Sequence, residues 1–344
     1  MNNYFENRKN CFVIAELSAN HGGDIEIAKE TVRAAKRAGA DAIKLQTYTA
    51  DTITLKVDAP EFKISQGTHW DGQYLYDLYQ EASLPWEWHK ELFDLAKEEG
   101  LVCFSSPFDK TAVDFLEELH NPIYKVASFE ITDIPLIKYI AEKGKPVIIS
   151  TGIADISDIE LAIETCKNAG NQQITILKCT SAYPALAEDA NLLTIPDIVN
   201  RFNVDSGLSD HTLGIEAPVA AVILGAKVIE KHFILNKEVG GPDAHFSLDE
   251  NEFSDMVKAV RKAEQMMGKV DYEMTDNKKK SREFSRSLYV TEDIKNGTTI
   301  TEDNVRSVRP GFGMHPKHYS EVLGKTIKQD LKKGTPLNWD LINK

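Results

Sequence analysis

From residue 11 to about 268 the chain alternates short apolar, β-branched runs with longer stretches whose apolar residues recur at helical spacing. Eight runs predict strands: Cys11–Ala15, Ala42–Leu45, Leu101–Phe104, Ile123–Val126, Pro146–Ile149, Ile174–Lys178, Asp205–Leu208 and Val228–Glu230. The helices between them carry their own punctuation. Asp24 can cap Ile25–Ala38 at its start and Gly39 can end it; Asp133 opens a helix that stops near Gly144, and Ser157 one that stops near Gly170. Eight strands alternating with helices over about 260 residues predict an α/β fold closed as a (β/α)8 TIM barrel, with an open doubly wound sheet as the alternative.

The pattern breaks in two places. After the second strand an insertion, Ala50 to about Pro85, carries His69, Trp70, Asp71 and Gly72 with Tyr74, Tyr76 and Tyr79, which a barrel would place at its catalytic mouth. After Met267 the apolar periodicity stops. Residues 1–270 therefore form the barrel domain, 271–286, with Lys278-Lys279-Lys280, a polar linker, and 287–344 a small, mostly β domain. Within that tail, residues 293–300 (DIKNGTTI) are echoed by 330–337 (DLKKGTPL), and each reads as a strand, a Gly-bearing turn and a second strand. So small a core is marginal alone and is expected to dock on the barrel or on a second copy of the chain.

Composition narrows the function classes. The 344 residues hold 40 Lys+Arg against 53 Asp+Glu, a formal charge of −13, and are 42% apolar and 27% charged, which excludes a disordered or collagen-like chain. That acidic balance argues against nucleic acid as main partner, although a local basic pocket stays open. Cys11, Cys103, Cys166 and Cys179 are far apart and read as buried thiols of a reducing cytoplasm. Met1–Asn10 is polar, without a basic start and apolar stretch, so no secretory signal is expected. Ala217–Ala226, the longest apolar run, is about half of the roughly 20 residues a membrane helix needs.

In such a barrel the chemistry lies at the carboxyl ends of the strands. Read in order, these ends present Glu16; Lys44 and Gln46; Ser105 and Ser106; Lys125, Ser128 and Glu130; Ser150; Ser181 and Tyr183; Ser209, Asp210 and His211; and Glu230, Lys231 and His232. Period-two alternation puts Lys44 with Gln46, Ser209 with His211, and Glu230 with His232 on shared faces, and leaves Lys231 on the opposite one. His211 and His232, at the ends of adjacent strands about 4.8 Å apart, are close enough to share a metal ion. With no cysteine cluster beside them the remaining ligands would be water and substrate oxygens, which suits Mn2+ or Mg2+ in an open, catalytic site. Lys44 and Lys125, with Ser106, Ser128 and Ser150, supply the cations and hydroxyls that hold a phosphate and a carboxylate.

The segments 14–23 (IAELSANHGG), 41–47 (DAIKLQT), 124–128 (YKVAS), 150–152 (STG), 207–214 (GLSDHTLG), 230–233 (EKHF) and 241–243 (GPD) together resemble the sialic acid synthase family, and 286–288 with 308–313 (VRPGFG) resembles its C-terminal antifreeze-like (SAF, β-clip) domain. Residues 67–72, 75–79, 85–89 and 243–248 look most like the pseudaminic branch, whereas the N-acetylneuraminate branch has His directly after the Pro-Asp pair, where this chain has Ala244. The resemblance implies condensation of phosphoenolpyruvate with the open-chain aldehyde of an aminosugar, releasing phosphate by C–O cleavage and forming a nine-carbon 2-keto acid. For the pseudaminic branch the sugar is 2,4-diacetamido-2,4,6-trideoxy-L-altrose. It further implies that His211 and His232 hold a divalent metal that polarises the aldehyde oxygen, Mn2+ first, with Mg2+ or Co2+ as alternatives. Lys44, Ser106, Lys125, Ser128, Ser150 and Ser209 would hold phosphoenolpyruvate. Ser181 stands where family members commonly have Asn. Glu16, Tyr183 and Asp243 would face the sugar, with Glu16 handling a proton, and Gln46 and Glu130 complete the substrate set. A domain-swapped homodimer would carry Arg309 into the partner's site, on a loop bent at Gly311 and Gly313. Flagellin or capsule is the implied destination of the product.

Three alternatives stand beside this reading. An N-acetylneuraminate or legionaminate synthase would share the barrel chemistry and differ in the sugar. A Schiff-base aldolase would use Lys125 or Lys178 as nucleophile and ignore chelators. A non-catalytic carbohydrate-binding protein would bind sugar without turnover.

Overall fold

The computed structural model describes residues 5, 8–65 and 70–343; Gly67, Thr68 and His69, used above for the branch assignment, lie outside them. Eight parallel strands, β1 (Phe12–Glu16), β2 (Ala42–Thr47), β3 (Val102–Pro107), β4 (Tyr124–Val126), β5 (Val147–Ser150), β6 (Ile174–Cys179), β7 (Asp205–Asp210) and β8 (Val228–His232), close into a barrel in chain order. The last pairing sets Glu16 of β1 beside His232 of β8. The doubly wound alternative is thereby excluded.

Alternation along the strands sorts the residues. Phe12, Ile14, Phe104, Ile148, Leu177 and Val228 point inward and, with Phe5, fill the lower barrel. The opposite face of each strand, including Val13, Ile43, Val126 and Ile149, packs under the surrounding helices. Each fully buried Ile or Leu contributes about 1.5–3 kcal/mol, so this apolar floor and jacket can support a rim that is polar.

Helix starts follow side-chain chemistry. Asp24 accepts from Glu26 N at the start of the helix Ile25–Arg37, and Asp133 from Leu136 N at the start of Ile134–Ala141. Gly39, at φ +91, takes the left-handed position that ends the first of these. Ser157 is not the cap expected for the third. Asp155 is, accepting from Ser157 N and Asp158 N two residues earlier, because a carboxylate there reaches both orphan donors.

The aromatic segment before β3 serves packing as well as the mouth. Trp86 donates to Tyr48 O at 3.1 Å and stacks on Phe115 at 4.8 Å, while His89 Nε2 meets Thr47 Oγ1 at 2.8 Å. Burial lowers the His89 pKa to about 4, so this imidazole is neutral. Earlier in the chain, within the insertion, Trp70 lies edge-on to Tyr183 at 6.2 Å, at the strand ends.

A second compact unit spans residues 269–344. It begins with a helix, Asp276–Arg282, inside the stretch read as a linker. Lys and Arg are good helix formers and Thr275 caps the start, so the helix needs no buried face and periodicity does not reveal it. β9 (Ser287–Val290) and β10 (Val305–Val308) pair antiparallel.

The two echoed segments form the expected turns, with Gly297 and Gly334 at φ +82 and +85, but not two separate hairpins. They pair with each other. Ile294 and Leu331 exchange both backbone hydrogen bonds, Lys295 bridges to Asp330 and Lys332 to Asp293, each at 2.7 Å, and Asn296 N and Lys333 N donate to the same two carboxylates at 2.9 Å. The exchange between halves gives one amide of each turn a carboxylate acceptor from the other segment, whereas isolated hairpins of this length are marginal. Gly311 and Gly313, expected as bends, instead allow close approach: a Cβ at Gly311 would come within 2.6 Å of Ser285 Oγ, and one at Gly313 within 2.5 Å of Leu288 O.

Candidate active site

Two residues beyond each apolar floor residue, the inward positions turn polar at one height. Ile14 is followed by Glu16, Ala42 by Lys44, Phe104 by Ser106, Ile123 by Lys125, Ile148 by Ser150, Leu177 by Cys179, and Val228 by Glu230. Water is excluded there: Glu16, Lys44, Lys125 and Glu230 are each no more than 5% exposed.

Four of these residues form one charge cluster. Lys44 pairs with Glu16 and donates to Ser106 Oγ at 3.2 Å. Glu230 Oε1 lies 3.3 Å from Lys125 and 3.8 Å from Lys44 and accepts from Ser209 Oγ at 3.3 Å. Burial would raise the Glu230 carboxyl, but the two ammonium groups hold it down at about 2. The same burial keeps Lys125 below the ordinary amine range even beside Glu230. Gln46 Nε2 donates to Glu16 Oε1 at 3.1 Å and Ser18 Oγ at 3.0 Å, fixing the carboxylate that faces the opening.

Beside this cluster lies a cradle of hydroxyls. Ser128 Oγ accepts from Gly152 N at 3.0 Å and contacts Cys179 Sγ at 3.4 Å, while Ser150 Oγ and Ser181 Oγ are buried with no hydrogen-bond partner. A Cβ at Gly152 would collide with Ser181 Oγ and stand 2.7 Å from Ser128 Oγ, so only glycine keeps the space between them open. Glu130, on the turn after β4, has a buried, unpartnered Oε2, and burial raises its pKa to about 7 against the pull of Lys125. Unpaired buried polar atoms are costly. Their concentration at one rim is the mark of a site shaped for a polar ligand.

The two histidines face one another across β7 and β8 with ring centroids 5.3 Å apart. His211 Nδ1 donates to Thr180 O at 2.9 Å, which leaves Nε2 with its lone pair free. His232 Nδ1 is buried without a hydrogen bond, 3.5 Å from Asp243 Oδ2. Tyr183 and Phe246 wall the pair, at 4.4 Å from His211 and 4.8 Å from His232 respectively. Among the described residues no cluster of three or more His, Cys, Asp and Glu could hold a metal. The donors fit a cation held by two imidazoles in an open site and do not fit a closed structural one.

The structure thus brings Glu16, Lys44, Gln46, Ser106, Lys125, Ser128, Glu130, Ser150, Ser181, Tyr183, Ser209, His211, His232 and Asp243 to one end of the barrel. Arg309 is an exposed residue of the second unit. Lys178 points away from this set and donates to Cys179 O and Thr180 Oγ1 at 2.7 and 3.2 Å. Three residues of the rim, Cys179, Gly152 and Phe246, lie outside the sequence reading of the site, and Glu230, which that reading places at the rim, has there no role of its own. Counting by twos from Leu177 would have found Cys179; Gly152 has no side chain to count.

The NeuB family model matches residues 31–272 and the SAF domain model residues 285–343. The chain is 49% identical to the pseudaminic acid synthase of Campylobacter jejuni, with 97% of each chain covered, and 48% identical to that of Helicobacter pylori, with 96% and 98% covered. Among solved structures it is similar to an N-acetylneuraminic acid synthetase from Leptospira borgpetersenii, with TM-score 0.69 and 30% identity over 79% of this chain and 90% of that one. A closed barrel with this polar rim, followed by a tail matching the SAF model, therefore belongs to the NeuB family.

Proposed function

We infer that the chain is a pseudaminic acid synthase, condensing phosphoenolpyruvate with 2,4-diacetamido-2,4,6-trideoxy-L-altrose to give pseudaminic acid and phosphate. The observation that carries this reading is the placement, on one rim, of a hydroxyl cradle with two ammonium groups beside an open histidine pair. The full-length likeness to two pseudaminic acid synthases supplies the sugar. Lys44, Lys125, Ser106, Ser128, Ser150 and Ser209 hold the phosphate and carboxylate of phosphoenolpyruvate, with Ser181 closing the cradle. Glu16, Gln46, Glu130, Tyr183 and Asp243 face the sugar. The enol carbon attacks the aldehyde carbon, water adds to the resulting cationic centre at C2, and the C–O bond to phosphate breaks. Glu16, paired with Lys44, is placed to take a proton from that water, and the former aldehyde oxygen takes up a proton as it becomes the new hydroxyl, so Glu16 ends deprotonated. His211 and His232 would hold a divalent cation, Mn2+ in our reading, which would supply Lewis acidity for the aldehyde. Arg309 enters the site of a partner copy in a homodimer of this cytoplasmic enzyme.

Phosphate release from phosphoenolpyruvate tests the assignment. It is expected with the altrose, to stop with EDTA, and not to occur with N-acetylmannosamine or the bacillosamine-derived mannose isomer. Preference for either mannose-type sugar moves the chain to another branch. Chelator-resistant turnover with a borohydride-trappable lysine would instead favour the Schiff-base aldolase.

The cradle makes its own prediction. Gly152→Ala fills the space between Ser128 and Ser181, and overpacking of about 1–3 kcal/mol would raise KM for phosphoenolpyruvate by about tenfold or more, with KM for the sugar nearly unchanged. Equal rises in both constants, read from initial rates, would count against an anion site there.

A further inference from the structure

Between the inward pair Ser209 and Glu230 and the inward pair His211 and His232 lies one outward rung. Asp210 of β7 and Lys231 of β8 are direct register partners, they form an ion pair, and their side chains are 2% and 1% exposed. Neither side chain can reach the mouth, because alternation turns both to the far side of the sheet. Burying a carboxylate and an ammonium is costly, and an apolar pair of similar volume commonly serves stability as well or better. Something besides stability therefore accounts for charge at this rung.

Its connections show what it holds. Asp210 Oδ1 accepts from Thr212 N at 3.0 Å and Thr212 Oγ1 at 2.8 Å, and Lys231 Nζ donates to Thr212 O at 2.6 Å. His211 is thus the middle residue of a turn fixed at both ends, and β8 itself supplies one of the fasteners from the residue before His232. His232 O is held in turn by Leu248 N at 3.0 Å.

We propose that Asp210 and Lys231 are a positioning pair that sets the spacing of the two imidazoles, and through it the affinity of the site for its divalent cation, without touching substrate. This rests on the reading that His211 and His232 hold that cation. Binding of Mn2+ alone to the full-length chain, followed by the paramagnetic resonance of free Mn2+, tests both. In the double variant Asp210→Asn with Lys231→Met, Asn keeps an acceptor for Thr212 and Met keeps the length of Lys, and no charge is left buried alone. Outer partners of metal ligands are typically worth about 10–100-fold in affinity, so the double variant is expected to bind Mn2+ at least about tenfold more weakly while keeping its circular dichroism.

Lys231→Arg keeps the charge with a wider, planar head. It is expected to fold even if the double variant does not, and to weaken Mn2+ binding severalfold. Wild-type affinity in either folded variant overturns the proposal. His211→Asn separates the two readings. If it abolishes Mn2+ binding while the positioning variants bind normally, the positioning role alone fails; if the wild type takes up no Mn2+, the histidine reading fails and the proposal with it.

Discussion

Glu230→Ala is expected to lower the free energy of unfolding by about 3–5 kcal/mol, the usual cost of removing one partner from a buried ion pair. The carboxylate stands between Lys125 and Lys44, and removing it leaves two buried ammonium groups, Lys44 still paired with Glu16 and Lys125 with no carboxylate in ion-pair contact among the described residues. The loss should depend on pH with a definite sign. Lys125 is already held below its ordinary range, and without Glu230 its folded-state pKa falls further. Between that value and the unfolded value of about 10.4 the unfolded chain binds more protons than the folded one, so stability rises with pH across that window. Urea unfolding at neutral pH and near the top of the window would show the variant regaining part of the deficit. A variant within about 1 kcal/mol of wild type at neutral pH would show that the cluster is not a coupled buried charge system.

The largest effect on turnover is expected from the histidines. His211→Asn or His232→Asn should reduce phosphate release by about a thousandfold or more, the several kcal/mol that Lewis-acid polarisation of a carbonyl supplies. On the proposed reading the two histidines hold one ion and act as a unit, so the double variant should be little worse than either single one. Rates measured across a Mn2+ titration would check this. A single variant within about tenfold of wild type that still responds to EDTA would mean that the cation sits elsewhere.

Much of this architecture was legible because period-two alternation in a closed barrel leaves few choices. A run such as Val13 to Glu16 can meet its neighbours in only one phase, so the inward set up to the rim follows once the strands are placed. Phase alone puts Lys231 outside the site, and the structure turns it to the outer face against Asp210. What stayed hidden depends on distant or absent atoms. Gly152 matters through space it leaves empty, Cys179 looked like one more residue of an apolar run, and the pairing of the two tail segments joins residues 37 positions apart that no local signal connects. The cap at Asp155 was missed for a nearer reason. Ser157 is an equally acceptable cap residue by type, and only the reach of the carboxylate to two backbone donors decides between them.

The crossed pairing in the tail has a consequence for how such a unit can change over evolutionary time. Asp293 serves a lysine and a backbone amide in the second half, and Asp330 serves their counterparts in the first. Replacing either aspartate therefore leaves a turn amide of the other half without its acceptor, so each copy constrains one position of the other.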